Sequence, residues 1–342
     1  ASGAIGSGVA FELEGNATLG RNESRLGKLL PARDFCKGHI ISHYLGTFLG
    51  RQFPIHFIGA LGTEPAAEVL LREMQGANLD TRFVRQFPEA STPYCVCFFY
   101  PDKSGGSINQ FPSAADRVSP EVLDNALEEL NPGPDTIVLA APEIPIESQC
   151  HLLKAGVRAG AFTVASVLSD QVERFQELGG IENTSLLAIN LEEAAALTGQ
   201  NPDSTDASVI CQKTLFHCRK ENPDIQLVLS LGEKGVFAAT PEREYRAPTM
   251  AVQPVATAGA GDALLAGTLI GIFQGLPLAG PESVETFFGK QLQCAVDFGI
   301  ALASLSITSL DTIHFGVRAD TLWHHVQNQG ATLPPQVQPL FE

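Results

Sequence analysis

The chain has 342 residues, enough to bury a large core, and carries 22 Lys plus Arg against 38 Asp plus Glu, a net charge of −16. Such a surface repels nucleic acid and anionic membranes, so neither is expected as a partner, and no run approaches the roughly 20 apolar residues that span a bilayer. The seven Cys are scattered, at 36, 95, 97, 150, 211, 218 and 294, an odd number without paired metal-ligand spacing, which points to reduced thiols and a cytosolic setting.

In chain order, Ile5 to Phe11 predicts a strand rather than a basic-then-apolar signal peptide, and the opening Ala1-Ser2-Gly3 suggests a trimmed or processed start. Glu12 to Arg33 is polar with no clear period. A helix is expected from Lys37 to near Gly50, then a strand over Ile55 to Gly62. The next helix has Thr63 as candidate N-cap, Pro65 in its first turn, Ala67, Leu70, Leu71 and Met74 at helical spacing, and Gly76 as its stop. Between Thr81 and Pro112 short alternating strands read as a hairpin around Pro101 to Gly106. Cys95 and Cys97 share one strand face there, and core thiols are a better reading of them than a metal or redox pair.

Beyond Ser119-Pro120 helices alternate with apolar strands at Thr136 to Ala140, Phe162 to Val167, Leu186 to Ile189 and Gln226 to Leu231, the pattern of a parallel sheet covered on both faces. Val236 to Ala239 and Glu244 to Ala247 add antiparallel strands. A helix follows Asp262, a long apolar one is expected from about Val284 to Ser304, and a last one from Val317 to Gln327.

The segment most charged with chemistry is Val255-Ala256-Thr257-Ala258-Gly259-Ala260-Gly261-Asp262, a small-residue turn that feeds an apolar helix. The first amides of such a helix lack intrahelical partners and lie at its positive end, which suits a phosphoryl group. A carboxylate at that mouth can accept the proton of an attacking hydroxyl. Ordinary capping explains the same residues when they are taken alone.

Gly259-Ala260-Gly261-Asp262 resembles the signature of the PfkB, or ribokinase-like, family of carbohydrate and nucleoside kinases. The resemblance implies a single ribokinase-like α/β domain over residues 1–342, a three-layer sandwich with a mainly parallel central sheet. It also implies a small β lid, here residues 12–19 and 81–111. The reaction it implies is ATP-dependent phosphorylation of a hydroxyl on a sugar, nucleoside or related small alcohol. Asp262 would be the general base, and the amides of Gly259, Ala260 and Gly261 the anion hole.

Asn190-Leu191-Glu192-Glu193 matches the family's Asn-x-x-Glu, which orders Mg2+ largely through water beside the nucleotide phosphates. Asn at an N-cap with Glu three residues on is also a capping box, and both roles are compatible. Ser230, Gly232 and Gly235 lie in a segment like the family's strand-Gly-x-x-Gly turn beside the nucleotide, which a tight hairpin also explains. Pro142-Glu143-Ile144-Pro145 is similar to the family's Glu-x-Pro turn next to the substrate. Lys37-Gly38-His39-Ile40-Ile41-Ser42 stands where the family has Gly-Gly and then an Asn touching sugar hydroxyls, so Gly38, His39 and Ser42 join Glu143 as acceptor-side candidates. Glu12 is the acid nearest the position of the family's acceptor-gripping Asp.

The leading Asp of the signature is Ala256 here and its second Thr is Ala258, so the monovalent cation bound by many members is not implied. His39, His43 and His56 lack a metalloprotease context and are read as packing or substrate contacts. A homodimer through the lid is a further implication. The alternative function is a catalytically weak nucleotide- or sugar-binding regulator that keeps this fold.

Overall fold

The computed structural model describes residues 1–50, 52–102 and 105–341. Its elements in chain order begin with β1 (Ser7–Leu13), β2 (Gly27–Phe35), α1 (Lys37–Leu49), β3 (Ile55–His56), β4 (Gly59–Leu61), α2 (Pro65–Gly76), β5 (Leu79–Asp80) and β6 (Val84–Gln86). There follow β7 (Tyr94–Phe99), β8 (Gly105–Asn109), α3 (Pro120–Leu130), β9 (Ile137–Ala140), α4 (Ile146–Arg158), β10 (Phe162–Ala165), α5 (Val172–Glu177), β11 (Leu186–Asn190) and α6 (Leu191–Thr198). The chain continues through α7 (Ala207–Glu221), β12 (Gln226–Ser230), β13 (Val236–Ala239), β14 (Glu244–Ala247), α8 (Ala260–Phe273), α9 (Ala295–Ser306) and α10 (Ala319–Asn328).

The main sheet has the order β14-β13-β12-β11-β10-β9, with β9 to β12 parallel and the last two strands antiparallel. Ser2 bridges both Ala140 and Ile58 in parallel, so the N-terminal segment carries the sheet past β9. Period-2 alternation sends Leu139, Val164, Leu186 and Val228 to one apolar layer shared with α1, α8 and α9. Val138, Ala140, Ala165, Leu187, Leu227 and Leu229 go to the other, under α3 to α7. This is the expected three-layer arrangement. α8 is apolar around its circumference because it is enclosed, lying against α1 and α9.

A second sheet, β2-β1-β7-β8, stands apart from the main one, with β7 and β8 forming the expected antiparallel hairpin. It includes β2, which falls inside the stretch without a readable period. The reason is exposure: most β2 side chains face solvent, so no apolar alternation is written into its sequence. The expected strand over Ile55 to Gly62 is two short ones, β3 paired with β5 and β4 with β6. The N-cap of α2 is Glu64, not Thr63.

The long helix expected from about Val284 begins only at Ala295. The backbone of 284–292 bonds elsewhere, Val284 N–H to Arg246 O at 2.9 Å and Leu292 N–H to Thr332 O at 2.9 Å. Gly289 turns there with a φ of 71°. Its apolar residues anchor an irregular segment to the core rather than line a helix face.

Candidate active site

The C-terminal ends of the parallel strands, the first turn of α8 and the first turn of α1 meet in one mouth. Gly259 is the N-cap of α8 with φ 80° and ψ −4°. A Cβ there would lie 2.6 Å from Thr312 O, so backbone conformation and space both require glycine. The Ala260 N–H donates to Thr257 O at 3.2 Å, while the amides of Gly261 and Asp262 have no acceptor among the described residues. Gly261 is exposed and a Cβ there would meet nothing within 4 Å, so its unpaired amide lies in an uncrowded first turn at the positive end of the helix.

Asp262 stands in the same turn, within the field of Lys37, Glu193 and Asp34. Burial pushes its carboxyl up from 3.8 to about 7; the Lys37 ammonium works the other way, and the charges of Glu193 and Asp34 add to the rise. Lys37 belongs to the site although no motif marks it in the sequence. Its Nζ lies 3.2 Å from Glu193 Oε1. Burial disfavours the ammonium, yet Asp262 and Glu193 outweigh burial and leave its pKa raised. A lone lysine opening a helix in a chain of net charge −16 was the available signal.

Glu193 and Asn190 form a reciprocal capping box at the start of α6. Asn190 N–H donates to Glu193 Oε2 at 2.9 Å, and Glu193 N–H to Asn190 Oδ1 at 2.8 Å. The box leaves the carboxylate 6% exposed, with its other oxygen on Lys37. Each of these oxygens keeps a second lone pair. The donor set is therefore hard, anionic and already bonded, which fits a cation reached through water rather than one bound directly. Asn190 and Ser230 are register partners at the ends of β11 and β12. Gly232 is exposed with φ 61° and open space around it, whereas Gly235 packs under Ala247 O.

On the acceptor side, Glu143 holds a left-handed φ of 70° in the loop between β9 and α4. Its Oε2 accepts the Lys37 backbone N–H at 2.8 Å, capping α1, whose N-cap Cys36 makes no side-chain cap bond. Burial raises the Glu143 carboxyl to about 7; the Lys37 amide opposes this and the Asp262 charge adds to it. Gly38 brings the first turn of α1 against Gly3 and Ala141. Glu12 lies on β1, opposite Lys28 of β2 and Phe99 of β7.

His39 and Ser42 are elsewhere, both fully buried. His39 Nε2 and His43 Nδ1 grip the two oxygens of Glu73 on α2. Burial acts against that carboxylate, yet the two imidazoles hold its pKa down at about 2. The Ser42 hydroxyl has no partner among the described residues. The structure thus brings together Asp262, Gly261, Lys37, Glu193, Asn190 and Glu143, and sets His39 and Ser42 behind them in the packing of α1.

A doubly wound α/β sandwich with an acid at a glycine-rich helix mouth beside the strand ends defines a class of phosphate-handling folds. The sequence profile of the pfkB family carbohydrate kinases matches residues 42–318, and the chain belongs to that family. The deoxyribokinase of Salmonella typhi is 25% identical over 207 residues, which cover 60% of this chain and 64% of that enzyme. The chain thus matches a little under two thirds of that relative's length. Among solved structures, the ribokinase of Giardia lamblia superposes with a TM-score of 0.78 at 14% identity, over 96% of this chain and 97% of that one. The Arabidopsis thaliana ribokinase complexed with ribose and ATP superposes with a TM-score of 0.67 at 21% identity, over 100% and 97%. The shared architecture is the ribokinase-like fold.

Proposed function

We propose that the protein is an ATP-dependent kinase that phosphorylates a hydroxyl of a sugar, nucleoside or related small alcohol. The observation that carries this is Asp262, a carboxylate with a pKa near neutrality, beside the free Gly261 amide and within the field of the Lys37 ammonium. A base poised near the working pH can take the acceptor's proton as its oxygen attacks. The amides of Gly261 and Asp262, with Gly259 and Ala260 shaping the turn, stabilise charge that grows on the phosphoryl oxygens. Lys37 supplies a positive charge to the same oxygens.

Asn190 and Glu193 would hold a magnesium ion through water on the nucleotide side, and Ser230, Gly232 and Gly235 would border the nucleotide. Magnesium, when bound with ATP, would neutralise phosphate charge there. Glu143 reads the acceptor, with Glu12 reaching over from the small sheet. Gly38, His39 and Ser42 hold α1, and with it Lys37, in place.

The test is ADP release by the purified chain with a panel of sugars and nucleosides. An acceptor that stimulates release in the wild type and not in Asp262→Asn supports the reading. If no acceptor stimulates release while ATP still protects the chain against heat, the regulatory binder is the better reading.

The small sheet exposes Leu26, Leu29, Ile108 and Phe111, at 57% to 83% of their surfaces. Of these, Leu29 and Ile108 share one face of the sheet with Phe11 and Val96, and exposed apolar residues on that face support pairing of two such sheets as a lid in a homodimer.

A further inference from the structure

We propose that Asp34, Cys95 and Cys97 form a binding site for one soft divalent cation of the zinc class on the small sheet. Cys95 and Cys97 are two residues apart on β7 and so project to one face. Across β1, Cys95 pairs with Gly8 and Cys97 with Ala10, and Gly8 pairs in turn with Asp34 of β2. Two strands, β2 and β7, therefore present their ligands to one face across the small residues of β1. Gly8 makes this possible, because a Cβ there would lie 2.2 Å from Cys95 Sγ.

The two thiols converge on a single oxygen, with Asp34 Oδ2 2.9 Å from Cys95 Sγ and 3.2 Å from Cys97 Sγ. All three ligand atoms lie within 4.8 Å of one another. Two thiolates and a carboxylate are a donor set that zinc favours over hard cations. With bonds of about 2.3 Å to sulfur and about 2.1 Å to oxygen, a tetrahedral ion sets its ligands about 3.6 Å apart. The observed contacts need to open by only about half an ångström, which rotation of the thiols about Cα–Cβ supplies.

All three residues are half-buried, so an ion can enter from solvent. This separates the cluster from Cys150, Cys211, Cys218 and Cys294, which are enclosed in the core. Binding replaces the two thiol protons: one divalent cation is taken up, two S–H groups become metal-bound thiolates, and two protons leave to solvent with no change of oxidation state. Three protein ligands leave a fourth position for water or another small donor. The ion would staple β2 to β7 across β1, next to the site, since Asp34 is close enough for its charge to bear on both Asp262 and Glu143.

The experiment uses the full chain, reduced and freed of metal with a chelator, titrated with Co2+ as an optical probe and then with Zn2+. One equivalent of Co2+ should produce an intense thiolate-to-cobalt absorption that Zn2+ displaces. Cys95→Ser and Cys97→Ser should each abolish it, and Asp34→Asn should weaken binding at least about 10-fold. In the wild-type chain, where no variant need fold, Zn2+ should protect Cys95 and Cys97 from alkylation as read by peptide mass spectrometry. Absence of the thiolate band, its survival in Cys97→Ser, or equal alkylation of both cysteines with and without Zn2+ would overturn the proposal and leave an ordinary pair of hydrogen-bonded thiols.

Discussion

Asp262→Asn separates a functional carboxylate from a merely structural acid in the first turn of α8, because only the former ties turnover and pH-dependent stability to the same proton. The wild-type carboxyl is raised from 3.8 to about 7, so the folded chain holds a proton there that the unfolded chain has already lost over most of that interval. Stability from this group is therefore full below pH 4 and is lost as pH rises through 7. At about 1.4 kcal/mol per pKa unit the full shift corresponds to an upper bound of about 4 kcal/mol. Asp262 is partly solvated, which reduces the figure to about 1–2 kcal/mol.

Asn keeps the shape and removes the charge that Glu193 and Asp34 oppose. At pH 8 the variant should unfold about 1–2 kcal/mol later than the wild type in a urea titration, and the difference should vanish toward pH 4. Phosphoryl transfer should fall roughly 100-fold or more with ATP protection retained. A merely structural first-turn acid would behave otherwise, because Asn serves a helix start about as well as Asp and turnover would be preserved. Near-normal turnover, or destabilisation at pH 8, would refute the reasoning.

In the wild type, kcat/KM should rise with pH to a plateau above 7, standing at about one tenth of that plateau at pH 6; a flat profile over this range would exclude Asp262 as the titrating base. Lys37→Met removes the charge that favours the Asp262 anion, so the rising limb should move about one unit to higher pH while kcat drops. Glu193→Gln should raise the Mg2+ concentration needed for half-maximal rate; if the residue only caps α6, the Gln side chain still closes the box and the Mg2+ profile stays put. Replacing Leu29 and Ile108 together by Lys should dissociate a lid-paired dimer in sedimentation, whereas an unchanged sedimentation coefficient would mean that this face has no partner copy.

Local pattern carried much of the architecture. Strands buried on both faces, such as Leu186–Asn190 and Gln226–Ser230, wrote their apolar runs into the chain. The turn at 259–262 and the box at 190–193 were readable because their chemistry is confined to four consecutive residues, where glycine torsions and cap spacing are sequence properties. Long-range placement was another matter. β2 lacked a pattern because it faces water, and the apolar run at 284–292 stays out of α9 while its backbone bonds to Arg246 and Thr332. His39 and Ser42 follow Lys37 closely on α1, yet Glu73 on another helix draws the histidine inward. Lys37 meets Glu193 across 156 residues, and Asp34 meets Cys95 across 61. Contacts over such separations depend on how sheets and helices stack, and stacking is decided by the burial of the whole core rather than by any one segment.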